Sequence, residues 1–209
     1  MPYGFLDVAI TPSVRAAQKE MGSDRLFLDF KGDRQFDQFT QNEATFIEDR
    51  DSFYIASVSE TGWPYIQHRG GPKGFLRVID EKTLAFADYR GNRQYISMGN
   101  FAANDRACLF LIDYPRRARL KIYAHVERVA LESDPQLTEL LTNRDYKARL
   151  ERIFRFRLQN FDWNCQQHIT PRFTELEIAR AIHPLREHLA RLEAENAALR
   201  AQLNTRGDT

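Results

Sequence analysis

The chain has 209 residues, 43% of them hydrophobic, with 30 Lys and Arg against 29 Asp and Glu for a formal net charge of +1. That length suits one domain, or one domain with an appendage, and the apolar share is enough for a core and excludes a wholly disordered chain. Near-neutrality demotes nucleic-acid binding, which draws on an excess of cations to meet phosphates. Cys108 and Cys165 lie far apart with no C-x-x-C spacing. They form neither a disulfide framework nor a zinc site, and fit a reducing cytoplasm. The sequence opens with no basic region followed by an apolar run, and no apolar stretch nears the ~20 residues that span a bilayer. A cytoplasmic protein without a membrane partner is expected.

In chain order, residues 1–35 are mixed, with Gly4, Pro12, Gly22 and Gly32, and read as an arm with one short helix near Ser13–Met21. Phe36, Phe39 and Ile47 recur on a roughly helical period, which predicts a helix over Gln35–Glu48. The texture then turns aromatic and β-branched. Strands are predicted over Ser52–Ser59 and Trp63–Arg69 around the turn Glu60-Thr61-Gly62, with Gly70-Gly71-Pro72-Lys73-Gly74 ending the second. Phe75–Ile79 and Thr83–Asp88 read as a hairpin, Asn92–Ala103 as a helix, and Arg106–Tyr114 and Ala118–Val129 as two more strands. Ser133–Leu141 reads as a helix capped by Ser133 or Asp134, and Arg152–Leu158 as a returning strand. Many short strands with few helices between them argue for an antiparallel barrel or sandwich, not a βαβ sheet. Thr174-Glu175-Leu176-Glu177 has the form of a capping box, so a short helix is predicted to start there.

The tail is strongly periodic. Leu185, Leu189, Leu192, Asn196, Leu199 and Leu203 form a heptad pattern, with Asn196 at an a position and Glu195 and Arg200 at g and the following e. This fits a parallel two-stranded coil; it also fits an amphipathic helix packed on its own barrel. A DNA-binding zipper is refused by Pro184, which stands where a continuous basic helix would run. The division expected is an arm over 1–35, a barrel domain over 36–182 and a zipper-like helix and tail over 183–209.

None of the five histidines has metal-ligand spacing, and neither a G-x-S-x-G elbow nor a P-loop or dinucleotide glycine motif is present. Two clusters remain. In Gln67-His68-Arg69-Gly70-Gly71 a strand ends in donors, and glycines permit close approach to the backbone. In Arg90-Gly91-Asn92-Arg93-Gln94 a strand gives way to a helix, where free N–H groups, an Arg and two amides make a phosphate cradle. A polar turn and an exposed helix cap are the plainer alternatives.

Taken in order, Gly62-Trp63-Pro64-Tyr65, Gln67-His68-Arg69-Gly70-Gly71, Leu84-Ala85-Phe86-Ala87-Asp88, Gly91-Asn92-Arg93-Gln94 and Asn104-Asp105-Arg106-Ala107-Cys108-Leu109-Phe110 resemble the pyridoxamine 5′-phosphate oxidase-like family, over roughly Phe39–Val129. These are FMN-binding split β-barrels that work as homodimers. The resemblance implies a mainly β fold, an antiparallel Greek-key split β-barrel with flanking helices and a C-terminal helix. It also implies an FMN-dependent oxidoreductase acting on a small molecule, with NAD(P)H as a candidate partner and flavin at the dimer interface.

By the same resemblance, Gln67, His68, Arg69, Gly70 and Gly71 border the flavin ring and ribityl chain, Phe86 and Ala87 lie beside it, and Asn92, Arg93 and Gln94 grip its phosphate. Arg119 reaches it from the partner subunit, and Trp163 and Arg172 close over the ring. Gln94 stands where the oxidase has Lys, and Arg69 is the candidate to supply the missing charge. The oxidase's C-terminal Arg-x-His segment has no counterpart, so the resemblance does not extend to oxidation of vitamin B6 itself. His68 and His168 are the candidate acid–base groups, since histidine titrates near neutrality. A flavin or haem carrier or sensor on the same barrel is the alternative, with His125 as a possible haem ligand.

Overall fold

The structure, a computed structural model, describes residues 4–28, 37–163 and 167–207. Seven antiparallel strands form one sheet: β1 (Ser52–Val58), β2 (Pro64–Gly70), β3 (Leu76–Asp80), β4 (Thr83–Tyr89), β5 (Arg106–Asp113), β6 (Ala118–Val129) and β7 (Leu150–Trp163). Their order is β2-β1-β5-β6-β7-β4-β3, so the sheet's two free edges are β2 and β3. The sheet curls round a core that joins Phe53 and Ile55 of β1 to Phe86 of β4 and Phe154 and Phe156 of β7. This is the split barrel expected from the resemblance, with the split between the β2 edge and the β4–β3 hairpin.

Strand alternation sets the two faces. In β2, Tyr65, Gln67 and Arg69 alternate with the exposed Pro64, Ile66 and His68. β4 is buried on both sides: Leu84 and Phe86 belong to the barrel core, while Ala85 and Ala87 join a second cluster with Leu137, Leu141 and Ile153 beneath α6 (Pro135–Leu141). Small side chains on that outer face let the helix lie close.

Three short helices, α1 (Phe5–Ala9), α2 (Pro12–Glu20) and α3 (Asp24–Leu28), occupy the arm where one was expected. Phe5 stacks on Tyr123, with ring centroids 4.7 Å apart, which seats the arm on β6. α4 (Gln41–Glu48) starts later than Gln35 because Thr40 and Glu43 make a capping box; the residues before 37 in that predicted helix lie outside the described ones. Glu43 also accepts from Trp163 Nε1 at 2.8 Å. Burial pushes the Glu43 carboxyl up, but the bonds from Thr40 and Trp163 outweigh it and its pKa is lowered.

Two predicted boundaries are corrected. The helix expected from Asn92 begins only at Ile96, as α5 (Ile96–Ala103). Asn92 Oδ1 accepts from the Gln94 N–H at 3.1 Å, an Asx turn that competes with helix, and Arg93 and Tyr95 are left-handed, at φ 62° and 54°. β7 runs five residues beyond Leu158 to Trp163, because a bulge resets its pairing with β6: Ala124 faces Leu158 but Tyr123 faces Asn160.

The chain divides into two compact units. One holds the sheet and α1–α6. The other holds Tyr114–Arg116 and the chain from His168 onward, including α7 (Glu175–Gly207). The helix starts at the predicted capping box, with Thr174 Oγ1 accepting from the Glu177 N–H at 3.2 Å. It is 33 residues long, not short, and runs unbroken through Pro184. Among the described residues no helix is long and apolar enough to cross a membrane.

Candidate functional site

A cavity of about 160 Å³ opens at the barrel split. β2 contributes Tyr65, Gln67 and Arg69, β4 contributes Asp88, and β7 contributes Glu151 and Arg152. The loop Gly91–Tyr95 and the first turn of α5 complete the wall. The two predicted clusters, 27 residues apart at Gln67 and Gln94, are thus joined, and the joint is a hydrogen bond: Ser97 Oγ donates to Gln67 Oε1 at 2.8 Å.

Arg69 and Asp88 tie β2 to β4 across the split at 2.6 Å. The guanidinium also lies over Phe86 and Phe154, at 5.8 and 5.9 Å, so it closes the barrel. Arg152 stands 3.8 Å from the other Asp88 oxygen and 2.7 Å from Glu151. Asp88 is 5% exposed. Burial raises its pKa, and the two arginines oppose that rise. Arg69 Nε is buried without a hydrogen-bond partner.

The loop wall carries strain. Two non-glycine residues in the left-handed region within three positions cost roughly 1–2 kcal/mol each, and such strain gathers at ligand sites. Tyr95 pays part of this back through its hydroxyl, which donates to Glu151 at 3.2 Å, and its ring, which lies 5.0 Å from the Arg152 guanidinium. Tyr95 occupies the N-cap of α5 without a side-chain cap bond. Ile96, Ser97 and Met98, whose N–H groups have no place in the helical ladder, line the cavity. Three arginines face two carboxylates there, and both carboxylates are paired. Arg93, exposed at the rim, is the surplus charge.

Of the predicted residues, Gln67, Arg69, Asn92, Arg93 and Gln94 share this cavity. The others are placed elsewhere. His68 is on the opposite face of β2, edge-on to Tyr54, so it is corrected as an acid–base group of the cavity within one chain. His168 is exposed at φ 62° in the second unit. Phe86 and Ala87 are buried in the two core clusters, leaving their neighbour Asp88 to face the cavity. A Cβ on Gly71 would come within 2.7 Å of Phe75, so the close approach that this glycine permits is made by the chain's own ring. Gly70 is exposed beside the His68 ring. Trp163 is held by Glu43 and packs edge-on to Phe46. Arg119 lies over Phe110 on β5–β6, and Arg172 over Tyr114 in the second unit. His125 is paired with Asp105 at 2.9 Å. Sequence reasoning missed Asp88, Glu151, Arg152 and Ser97; two arginines in a strand with inward-facing neighbours were the only available sign.

The model of the pyridoxamine 5′-phosphate oxidase family matches residues 39–179, more than half of the chain and all seven strands. The chain belongs to the pyridoxamine 5′-phosphate oxidase family. No curated protein matches it. Among solved structures, it is similar to HupZ of Group A Streptococcus at 15% identity, over 64% of this chain and 99% of that one, with a TM-score of 0.46. A protein related to general stress protein 26 from Clostridium acetobutylicum aligns at 16% identity over 66% and 94%, TM-score 0.44. An FMN-binding protein from Syntrophomonas wolfei aligns at 15% over 73% and 95%, TM-score 0.42. Likenesses this distant carry no argument about what this chain binds.

Proposed function

We propose that this chain is an FMN-dependent oxidoreductase acting on a small molecule, with the FMN phosphate in the cavity at the split. The observation that carries the reading is the donor set: Arg93, Arg69 and the open N-terminus of α5 line one space. A phosphate supplies the acceptors that such donors lack, and a helix N-terminus favours negative charge. Asn92 and Gln94 add amides to the same rim. Arg69 would serve through its remaining guanidinium N–H groups, since its Nη1 is committed to Asp88. FMN, when bound, supplies the hydride and electron chemistry; the residues of the chain bind it, orient it and set its surroundings.

The cavity of one chain holds about 160 Å³, whereas sites for ligands of this size run to roughly 300–1,000 Å³. A second copy would complete it, and the outward face of β2-β1-β5 suits such contact. Ile66, Ala56 and Cys108 sit side by side in the register, as do His68, Tyr54 and Phe110. Ile66 is 65% exposed. In such a homodimer His68 would belong to the interface.

The visible absorption spectrum of the purified protein, followed by FMN titration, tests this reading. One flavin per subunit is expected. No flavin and no affinity would overturn it, and a Soret band would replace flavin with haem. Anaerobic addition of NAD(P)H then separates an oxidoreductase from a flavin carrier, which would hold the flavin without reducing it.

A further inference from the structure

Helix α7 carries an apolar seam longer than the leucine pattern of the tail. Because the helix is continuous from Glu175, Ile178 and Ile182 precede Leu185 in the same register, at spacings of four and three. Ile178, Ile182, Leu185, Leu189, Leu192 and Leu199 thus occupy successive a and d positions, with Asn196 the one polar member. The stripe is open: Ile178 is 49% exposed and Leu185 67%. A groove lined by Leu189, Leu192, Glu193, Asn196, Ala197 and Arg200 runs along it. Pro184 falls at c, off the seam, which is how a residue that cannot donate to Arg180 is compatible with the stripe.

We propose that α7 pairs in parallel, and in register, with α7 of a second copy of this chain. Three features select that occupant. First, the seam has the 3.5-residue period of a two-stranded coil over nearly four heptads, beyond the length at which a lone helix is marginal. Second, Asn196 at a single a position meets Asn196 of the second copy only in a parallel, in-register pair, where the two amides satisfy each other. An antiparallel pair in which residues 178–203 overlap fully would set Asn196 against Leu185 and leave its amide without a partner. Third, Glu195 at g faces Arg200 at e of the second copy, so the flanks of the helix are complementary to themselves. None of these features involves the flavin cavity.

The test is disulfide cross-linking of the full chain, with Cys108→Ser and Cys165→Ser removing the native thiols. Asn196→Cys or Leu199→Cys then places one thiol in the seam, and Ala194→Cys places one at f, on the outside. Under mild oxidation both seam variants should cross-link about tenfold faster or more than the Ala194→Cys chain, since only seam positions bring Cβ atoms within the ~4 Å that a disulfide needs. Adding Leu192→Glu should bring the Asn196→Cys chain down to the rate of the outside variant. Equal rates at seam and outside positions, or no cross-link at either seam position, would overturn the pairing. Preferential linkage of Asn196→Cys to Leu185→Cys chains in a mixture would overturn the parallel sense. Flavin content of the same samples is scored separately, so loss of the coil and loss of the cofactor are told apart.

Discussion

Replacing Arg93 by Ala should weaken FMN binding without weakening the protein. Arg93 is exposed at the cavity rim, has no ion-pair partner among the described residues, and stands beside the open first turn of α5. Its removal leaves no buried carboxylate behind, so the apoprotein should keep its stability within about 0.5 kcal/mol. A charge-assisted bond to a phosphate is worth about 1.5–3 kcal/mol, so the FMN Kd should rise roughly 10–100-fold, and by less at high salt because the rim is screened. The backbone supplies a second arm. At φ 62° Arg and Ala bear the same left-handed cost, whereas Gly escapes it. Arg93→Gly should therefore lose the same affinity while raising the apoprotein's melting temperature. Flavin fluorescence quenching gives the Kd, and thermal denaturation of the apoprotein gives the stability. If both variants bind FMN as the parent does, the phosphate is not at this loop and the assignment of the site fails.

Arg69→Ala should behave oppositely: it leaves Asp88 buried beside Arg152 alone, and should cost about 3 kcal/mol of apoprotein stability in urea unfolding, largely restored by adding Asp88→Asn. Glu43 governs acid stability. Its pKa is lowered on folding, so its contribution is complete above the ordinary glutamate range and is lost as pH falls through the lowered value. Glu43→Gln should therefore flatten that part of the stability–pH curve and cost about 1–3 kcal/mol at neutral pH, read by denaturant titration. Ile66→Glu, on the exposed face of β2 and outside the lining of the flavin cavity, should still weaken FMN binding near the dimer dissociation concentration; unchanged affinity there would place the whole flavin site within one chain.

The strands were legible because each side of this barrel is read by alternation. Leu120, Ile122 and Ala124 fall on one face of β6, and its predicted limits, Ala118–Val129, coincide with those in the structure. Where one residue breaks the period, the sequence signal ends: the bulge opposite Tyr123 moves the rest of β7 out of step, and the last five residues of the strand were not anticipated. The loop Arg90–Gln94 was legible as chemistry but not as shape. Arg and amides after a strand signal an anion cradle, yet the left-handed Tyr95 is held by Glu151 and Arg152, more than fifty residues later. Long-range pairing of that kind leaves no local mark. Gly71 teaches the converse: a glycine beside donors suggested ligand approach, and Phe75 fills the space.

The closure of the barrel and the construction of the site are one event. The sheet order leaves β2 and β3 as edges, so something other than backbone pairing must hold β2 to β4. Arg69–Asp88 does so, and Ser97–Gln67 ties β2 to α5. Each bond uses one part of a side chain and leaves donors on β2 uncommitted: Arg69 gives Nη1 to Asp88 and Nε has no partner, and Gln67 accepts through Oε1 and keeps its amide N–H groups. A ligand that accepts from those donors on β2 and from Arg93 in the loop after β4 would bridge the split. Occupancy should therefore stabilise the fold as well as fill the cavity, in proportion to the ligand's excess over its Kd.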